Sequence, residues 1–222
     1  MYVLQAVPDF ASFPVHIVLE ELGVPYQLNI LSFEAGDLDR PEHRALHPFG
    51  KIPALVTPDG PMFETAAVLL WLADRHGKLA PAPDAPDRAA FLSWFFFTSY
   101  SLHTGMMDLL HSEGTAGEAN ARAVADTARA RLIQQLTEMD RMVSTRRPDW
   151  LSPEKPSILT YYLSVLLRWL KAFPTFPDLA IDSTTFPALY AVLTAMERQP
   201  AAIRAAQTEG LGGTFFTDPK AE

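Results

Sequence analysis

Cysteine is absent from this chain of 222 residues. Without a thiol the protein can form no disulfide, use no cysteine nucleophile and bind no metal through thiolates. Redox chemistry that depends on a Cys-x-x-Cys pair is excluded for the same reason. Any chemistry that the chain performs must therefore rely on other side chains or on backbone groups.

Positive charge is also scarce. The chain has 18 Lys and Arg residues against 26 Asp and Glu residues, which gives a formal net charge of -8. This balance argues against nucleic acid as a partner, because phosphates need clustered cations. A local basic contact, such as one from Lys51, remains possible.

No apolar run is long enough to predict a membrane span. The most apolar stretch, residues 158–170, is too short for one and contains Arg168, so it is predicted to be a core helix. The N-terminal residues are strand-like and lack a basic region, so they predict no signal peptide. We therefore expect a cytoplasmic protein with no membrane partner.

The periodicity of the chain predicts two domains. Its first 78 residues show a β-α-β-α-β-β-α order, which indicates a thioredoxin-like α/β domain whose first two strands are parallel. A proline-rich stretch, 79–88, reads as a linker. An all-helical bundle is expected over 89–222, and its Ser157 and Thr160 are candidates for capping a helix. The predicted strands include 2–7 and 26–31, and the predicted helices are a weak one near 37–46, one from Thr65 to Gly77, and those near 89–113, 118–144, 157–172 and 187–206.

Two segments carry the strongest functional signal. Residues 47–55 read His-Pro-Phe-Gly-Lys-Ile-Pro-Ala-Leu, and a Glu64-Thr65 pair follows an Asp59-Gly60 hairpin. Because proline lacks an N–H and interrupts the strand ladder, the backbone of Ile52 is expected to be free to pair with an extended peptide. The start of the helix at Thr65 offers free N–H groups and a positive dipole end, which suit a carboxylate. These features predict a receptor for a small acidic peptide.

These segments resemble the glutathione-binding half of the soluble glutathione transferases. That family carries a run such as Asn-Pro-x-Gly-Lys-Ile/Val-Pro-x-Leu and a Glu-Ser pair before a helix. The resemblance implies glutathione as co-substrate, with the backbone of Ile52 paired to its cysteinyl part and Pro53 in a cis peptide. It also implies that Glu64 and Thr65 hold the γ-glutamyl end and that Lys51 holds the glycine carboxylate.

Ser12 is the first candidate for the catalytic residue. It precedes a helix with Pro14 in its first turn, so it is predicted to cap that helix and to point its hydroxyl toward the thiol of bound glutathione. A plain helix cap is the equally weighted alternative. In the similar beta-type enzymes of bacteria a cysteine stands where this chain has Ala11, so disulfide reduction by that route is not expected. Asp9, where other serine-type relatives keep their serine, would repel a thiolate.

His103 is the second candidate. The segment 94–103 resembles the first bundle helix of the beta-type enzymes, in which a histidine reaches the thiol region from the helical domain. An imidazole there can donate a hydrogen bond to a thiolate, although a histidine that lines a helical core is the alternative. Helical spacing places Tyr100 and Met107 on the same face, so together with Phe10 they are predicted to form the acceptor pocket.

Two further features concern metals and partners. His43 and His47 have a spacing that can chelate a metal on a helix, but Pro48 disfavours helical geometry at His47, so we predict no metal site. Phe49 is an aromatic residue in a loop and resembles the residue that related dimers insert into the other subunit. A homodimer with Phe49 at the interface is expected, with packing inside its own subunit as the alternative.

The resemblance implies a dimeric enzyme that conjugates the glutathione thiolate to a small hydrophobic electrophile. Ser12 would stabilise the thiolate and His103 would assist it. One alternative is a non-catalytic protein of the same fold that binds glutathione or acts as a scaffold. Another is a glutathione-dependent isomerase, dehalogenase or ether-cleaving enzyme, and the absence of the Ser-x-Cys-x motif speaks against the isomerase branch.

Overall fold

The computed structural model describes residues 1–220, and its N-terminal part is a four-stranded mixed sheet. The strand order is β2-β1-β3-β4. The parallel pair β1 and β2 is joined by helix α1, and β3 and β4 form the hairpin that turns at Asp59-Gly60. The predicted thioredoxin-like arrangement is therefore confirmed. The bounds are β1 Tyr2–Ala6, α1 Phe13–Leu22, β2 Tyr26–Ile30, β3 Ala54–Thr57 and β4 Gly60–Phe63.

The connection between β2 and β3 contains less helix than the sequence predicts. Where one helix was expected near 37–46, the structure has a 3-10 turn at Asp37–Asp39 and a one-turn helix α2 at Pro41–Arg44. Arg40 is extended, with ψ of 143°. A residue that precedes proline avoids the helical region, so Pro41 divides the predicted helix in two.

Helix α3, Thr65–His76, ends at a left-handed Gly77 as predicted, and all later regular elements are helical apart from one isolated bridge between Ser152 and Lys155. Two predicted helices are interrupted. The segment expected near 89–113 contains a π-helical turn at Thr98–His103, and the one expected near 187–206 is divided before Pro200, which begins a new helix. The remaining α-helices are α4 Arg88–Phe97, α5 Thr104–Leu110, α6 Ser112–Ala116, α7 Glu118–Arg146, α8 Ile158–Ala172, α9 Pro187–Glu197 and α10 Pro200–Thr208, and short 3-10 helices lie at Asp149–Leu151, Pro177–Leu179 and Ser183–Thr185.

Helix α8 is the core of the helical region, as predicted. Every residue from Ile158 to Leu170 is buried, Arg168 included. Its first turn is fixed by a capping box in which the Ser157 hydroxyl accepts from Thr160 N–H and the Thr160 hydroxyl accepts from Ser157 N–H. Threonine therefore performs the reciprocal contact that a longer side chain makes in the usual capping box.

No single helix within residues 1–220 is long and apolar enough to cross a membrane, although one sharply bent pair, Pro177–Thr185 with Pro187–Glu197, passes on length and composition alone.

The two regions of the chain share one core. Phe13 of α1 packs against Phe215 and Phe216, which come after α10, with ring centroids 6.5 and 6.1 Å apart. Tyr161 of α8 donates a hydrogen bond to Glu21 of α1. The C-terminal segment therefore holds α1 and α8 together, and the ends of β1 and β3 face the helical region across a cleft.

Candidate active site

A cavity of about 620 Å³ occupies that cleft. Its walls come from both regions, and most of its lining side chains are apolar. From the sheet region it is lined by Asp9, Phe10, Ala11, Phe33, Leu38, His47, Gly50, Lys51, Ile52, Glu64 and Thr65, and from the helical region by His103, Met106, Met107, Leu110, His111, Trp169 and Phe173. The five residues predicted to bind glutathione lie in one region, and all but Pro53 line the cavity.

The edge of the cavity at Ile52 is an unpaired stretch of backbone. The Ile52-Pro53 peptide is cis, and regular pairing of β3 begins only at Ala54. Within residues 1–220 neither the N–H nor the C=O of Ile52 has a hydrogen-bond partner. The preceding residue, Lys51, is held by His43, whose Nε2 hydrogen-bonds the Lys51 carbonyl oxygen at 2.9 Å. An extended ligand can therefore pair with Ile52 without displacing a bond of the protein.

The opposite end of this edge is the start of α3. Glu64 lies immediately before the helix with φ of 71°, a value that non-glycine residues rarely adopt. This conformation turns the chain sharply into α3 at the cavity wall. The Thr65 hydroxyl donates to the carbonyl oxygen of Ala11 at 3.3 Å, which links the helix start to the loop after β1. The first N–H groups of α3 are thus available to a ligand carboxylate, and the Glu64 carboxylate is available to a ligand ammonium group.

Ser12 directly precedes α1, as the sequence predicts, but its side chain does not act as predicted. The structure gives it no capping hydrogen bond to α1, so the prediction of a side-chain cap is wrong. The side chain is fully buried, and its Oγ donates to the Val7 carbonyl oxygen at 3.0 Å and accepts from Val7 N–H at 3.2 Å. Because the hydroxyl closes this tight turn, it does not line the cavity. That the Ser12 hydroxyl stabilises a thiolate stays a prediction, and it requires the hydroxyl to break its hydrogen bonds to Val7.

Asp9 lines the cavity, but its charge is balanced. Both carboxylate oxygens accept from the Arg168 guanidinium, at 2.7 and 2.6 Å, and one also accepts from the Trp169 indole at 3.1 Å. The expectation that Asp9 would repel a thiolate considered the carboxylate alone and did not include this partner. Arg168, a charged residue within the most apolar stretch of the chain, was the one sequence signal that pointed to a buried ion pair.

His103 lies in the helical wall of the cavity, at the end of the π-helical turn. Its Nδ1 is 2.6 Å from the Tyr162 hydroxyl. Burial lowers the pKa of His103 to about 4 and raises the pKa of the Tyr162 phenol. Both groups are therefore neutral near pH 7. Nε2 makes no hydrogen bond to any residue in the described part of the chain, and so it is free for a ligand.

Two of the three residues predicted to form the acceptor pocket line the cavity. Phe10 and Met107 line the cavity, but Tyr100 is 81% exposed and points elsewhere. The prediction assumed a regular α-helix, whereas hydrogen bonds in the observed π-helical turn run from i to i+5. The wider turn rotates Tyr100 away from the face of His103. The sequence missed Phe33, which packs on Phe10 at 5.0 Å, and Phe173 from the end of α8.

The two histidines considered as a chelating pair have different surroundings. No cluster of three His, Asp or Glu residues suited to a metal occurs among residues 1–220. His43 lies in α2 and bonds the Lys51 carbonyl, whereas His47 packs on Phe63 with ring centroids 4.7 Å apart. His47 lines the cavity, and burial lowers its pKa. Sequence reasoning weighed it only as a metal ligand and missed this position.

Phe49 follows His47 on the outer side of the same loop. It is 71% exposed, and among residues 1–220 its one aromatic contact is with His47, at 6.4 Å between ring centroids. Packing within its own subunit, the alternative considered from sequence, is therefore slight.

Comparison with known proteins places these features in context. Residues 11–75 match the family described as glutathione S-transferase, N-terminal domain. A glutathione S-transferase of Xanthomonas campestris is 28% identical over 92% of this chain and 97% of its own length. A solved glutathione S-transferase of Xylella fastidiosa, 27% identical, superposes with a TM-score of 0.79 over 95% of this chain and 99% of that one. A Burkholderia graminis glutathione transferase, solved with two glutathione molecules bound per subunit, gives 0.80 at 28% identity over 93% and 88% of the two chains.

Proposed function

We infer that the chain belongs to the soluble glutathione transferase family, and on that premise we propose that it conjugates the thiolate of glutathione to a small hydrophobic electrophile. The observation that carries the proposal is the pairing of two kinds of surface in one cavity. An open backbone edge at Ile52 lies beside a helix start at Thr65, and an apolar wall faces both. The first two features suit a tripeptide, and the third suits an apolar acceptor.

Glutathione is proposed to lie along the edge between Lys51 and Thr65. Its cysteinyl peptide group pairs with the backbone of Ile52, and its γ-glutamyl end reaches Glu64 and the first N–H groups of α3. Lys51 holds the glycine carboxylate. In this pose the sulfur points across the cavity toward the loop after β1 and toward His103.

His103 is proposed to stabilise the thiolate. A neutral Tyr162 phenol that donates to Nδ1 leaves the imidazole proton on Nε2, which is the nitrogen without a protein partner. Nε2–H then donates a hydrogen bond to the sulfur, and this favours its ionised form. The thiol proton passes to solvent, and the thiolate attacks a carbon of the electrophile, so that a C–S bond forms as the leaving group departs with its electron pair. The protein itself forms no covalent bond. Phe10, Phe33 and Met107 provide the apolar contact for the acceptor.

Calorimetric titration with reduced glutathione tests the binding half of this proposal. We expect Glu64→Gln to weaken glutathione binding about tenfold or more, because it removes the charge from a hydrogen-bonded ion contact. Glu118→Gln, which neutralises an exposed glutamate in the first turn of α7, is the matched control and should bind like the unaltered protein. No detectable heat with the unaltered protein would refute the proposed pose.

Turnover of a chlorodinitrobenzene-type acceptor tests the chemical half. A non-catalytic glutathione-binding protein is the second candidate function, and one observation favours it. The loop from Val7 to Phe13 presents no tyrosine, no cysteine and no cavity-facing serine. Binding of glutathione without turnover of any acceptor would establish that candidate instead.

We also propose that the protein is a homodimer in which Phe49 of one copy enters a groove on the second copy. A groove of about 630 Å³ between α4 and α7 has Trp94 and Phe97 on one side and Gln135 on the other. The two aromatic rings are 5.4 Å apart and provide an apolar seat. An exposed phenylalanine and an unfilled aromatic groove on the same subunit fit a symmetric interface.

Phe49→Ser is expected to weaken the dimer about 30-fold or more, as truncation of a central aromatic anchor does. Sedimentation velocity over a range of protein concentrations measures this as a shift from dimer to monomer. Ile203→Ser, which removes an exposed apolar residue from α10, is the control and should leave the dimer unchanged. A variant at Phe49 that sediments like the unaltered protein would disprove this interface.

A cytoplasmic location and a role in detoxification follow from the proposed reaction. The reaction consumes a reduced thiol, and the cytosol is the compartment that keeps thiols reduced.

A further inference from the structure

The ion pair between Asp9 and Arg168 connects the wall of the cavity to the centre of the helical region. Asp9 has φ of 62°, an unusual value for a non-glycine residue, so its side chain leaves the loop toward α8. There the carboxylate receives two hydrogen bonds from Arg168 and one from Trp169. The Trp169 ring also contacts His103, with centroids 6.1 Å apart. The pair therefore lies directly behind the surface that the glutathione sulfur would face.

Two further contacts fix this arrangement. The Asp9 N–H donates to the Glu209 carboxylate at 2.8 Å, and Glu209 is held in turn by His16 of α1 at 2.7 Å. The remaining guanidinium nitrogen of Arg168, Nη1, donates a hydrogen bond to the carbonyl oxygen of Phe215 at 2.6 Å. Asp9 is therefore held directly by α8 and by the end of α10, and the C-terminal segment holds its partner Arg168.

We propose that Asp9 and Arg168 form a charge-balanced clasp that positions the loop Asp9–Ala11 and keeps the wall of the sulfur site electrically neutral. Both are positioning residues, since neither is proposed to bond the substrate. The inference rests on the proposed function, because it concerns the surroundings of the bound thiol. It differs from a simple structural role in one respect, namely that removing either charge alone must shift the ionisation of that thiol, and in opposite directions.

The sign of each shift follows from the charge that is left behind. Asp9→Asn leaves the Arg168 cation unbalanced, and a nearby cation favours a thiolate. Arg168→Met leaves the Asp9 carboxylate unbalanced, and a nearby anion disfavours it. Replacing both residues removes both charges. None of the three variants replaces another titratable residue around the site. Those residues are Lys51, Glu64, His47, His103 and His111 at the cavity, with Glu209 and His16 behind the loop.

The test is a pH titration of the ultraviolet thiolate absorbance of glutathione bound to each variant. We expect the thiol pKa to fall by about half a unit to one unit in Asp9→Asn and to rise by a similar amount in Arg168→Met. In the double variant it should return to within about 0.3 units of the unaltered protein, because the charge effects cancel. Arg168→Lys keeps the positive charge but not the bidentate contact. In this variant most of the rise in thiol pKa seen in Arg168→Met should be absent.

Asp74→Asn is the matched control. It breaks another paired Arg–Asp contact, between α3 and α4, where Arg88 bonds both oxygens of Asp74 at 2.9 and 2.8 Å. It should lower stability without moving the thiol pKa. Should Arg168→Met fail to fold, Asp9→Asn decides alone, since asparagine keeps the shape of the side chain.

The outcomes separate the clasp from the proposed function. If the unaltered protein does not bind glutathione, the proposed function fails and the inference fails with it. If it binds glutathione but Asp9→Asn leaves the thiol pKa unchanged, raises it, or changes it only as much as Asp74→Asn does, the clasp is refuted while the proposed function stands.

Discussion

Replacing His103 with phenylalanine is expected to lower kcat/KM for conjugation about 100-fold, the loss typical of removing one preorganised donor to a developing anion. At a pH below the pKa of the bound thiol, the glutathione dissociation constant should change by about twofold or less, because His103 is not among the residues proposed to hold the peptide. Steady-state kinetics and calorimetry on the same preparation measure the two quantities. An equal loss in binding and turnover would contradict the assignment.

The pH dependence sharpens this prediction. Because burial lowers the pKa of His103 to about 4, the imidazole stays neutral at every pH from about 5 to 9. The acid limb of the rate profile should therefore report the glutathione thiol and not the histidine. In His103→Phe that limb is expected to move to higher pH by about one unit, since a hydrogen bond to the thiolate is lost.

A comparison with Ser12 decides between the two catalytic candidates. The Ser12 hydroxyl bonds only Val7, so Ser12→Ala should act mainly on stability, by about 2 kcal/mol, through the buried peptide groups that it leaves unpaired. Tyr162→Phe removes the hydroxyl partner of His103. It should lower kcat/KM about tenfold, because the imidazole loses the hydrogen bond that orients it. If Ser12→Ala loses more turnover than His103→Phe at equal folded fraction, the serine is the thiolate-stabilising residue.

Gly50→Ala is expected to lower the free energy of unfolding by about 3 kcal/mol, because a positive φ and a steric overlap act together. Gly50 has φ of 60°, and a Cβ atom placed on it would lie 2.7 Å from the carbonyl oxygen of Leu38. Neither atom is the end of a flexible side chain, so the backbone itself must move. The loop affected carries Lys51 and Ile52, so glutathione binding should weaken as well.

Gly23→Ala is the matched control for this effect. Gly23 has nearly the same φ, 65°, but a Cβ atom there would have no neighbour within 4 Å. We expect a loss of about 1 kcal/mol, from the backbone conformation alone. Urea unfolding at one protein concentration gives both values. Equal losses in the two variants would show that the approach of Leu38 to Gly50 has no energetic effect.

The geometry of the proposed glutathione site could be predicted from sequence because its parts are contiguous. Ile52 and Pro53 are neighbours in the chain, and a proline in a strand limits pairing wherever the strand lies. The start of α3 depends only on the local residues around Thr65. The polar partner that each candidate catalytic residue meets could not be predicted in this way. Ser12 meets Val7 in a tight turn that has no sequence signature, and the partner of His103, Tyr162, is 59 positions away.

The same limit explains Tyr100 and Asp9. Helical spacing placed Tyr100 in the pocket, but the structure has a π-helical turn there, a rare geometry that the α-helical spacing rule does not include. Asp9 looked like an unfavourable charge because its partner Arg168 stands 159 residues later.

By itself, the sequence determined the fold class, the interrupted strand edge at Ile52 and the absence of any thiol from the chain. Tertiary structure alone decided which side chains face the cavity, which charges are balanced and which hydroxyls are already bonded. The physical reason is that backbone pairing and helix starts follow from a few adjacent residues, whereas ionisation and accessibility are set by neighbours that folding brings from distant positions. For this protein those neighbours come from α8 and the C-terminal segment.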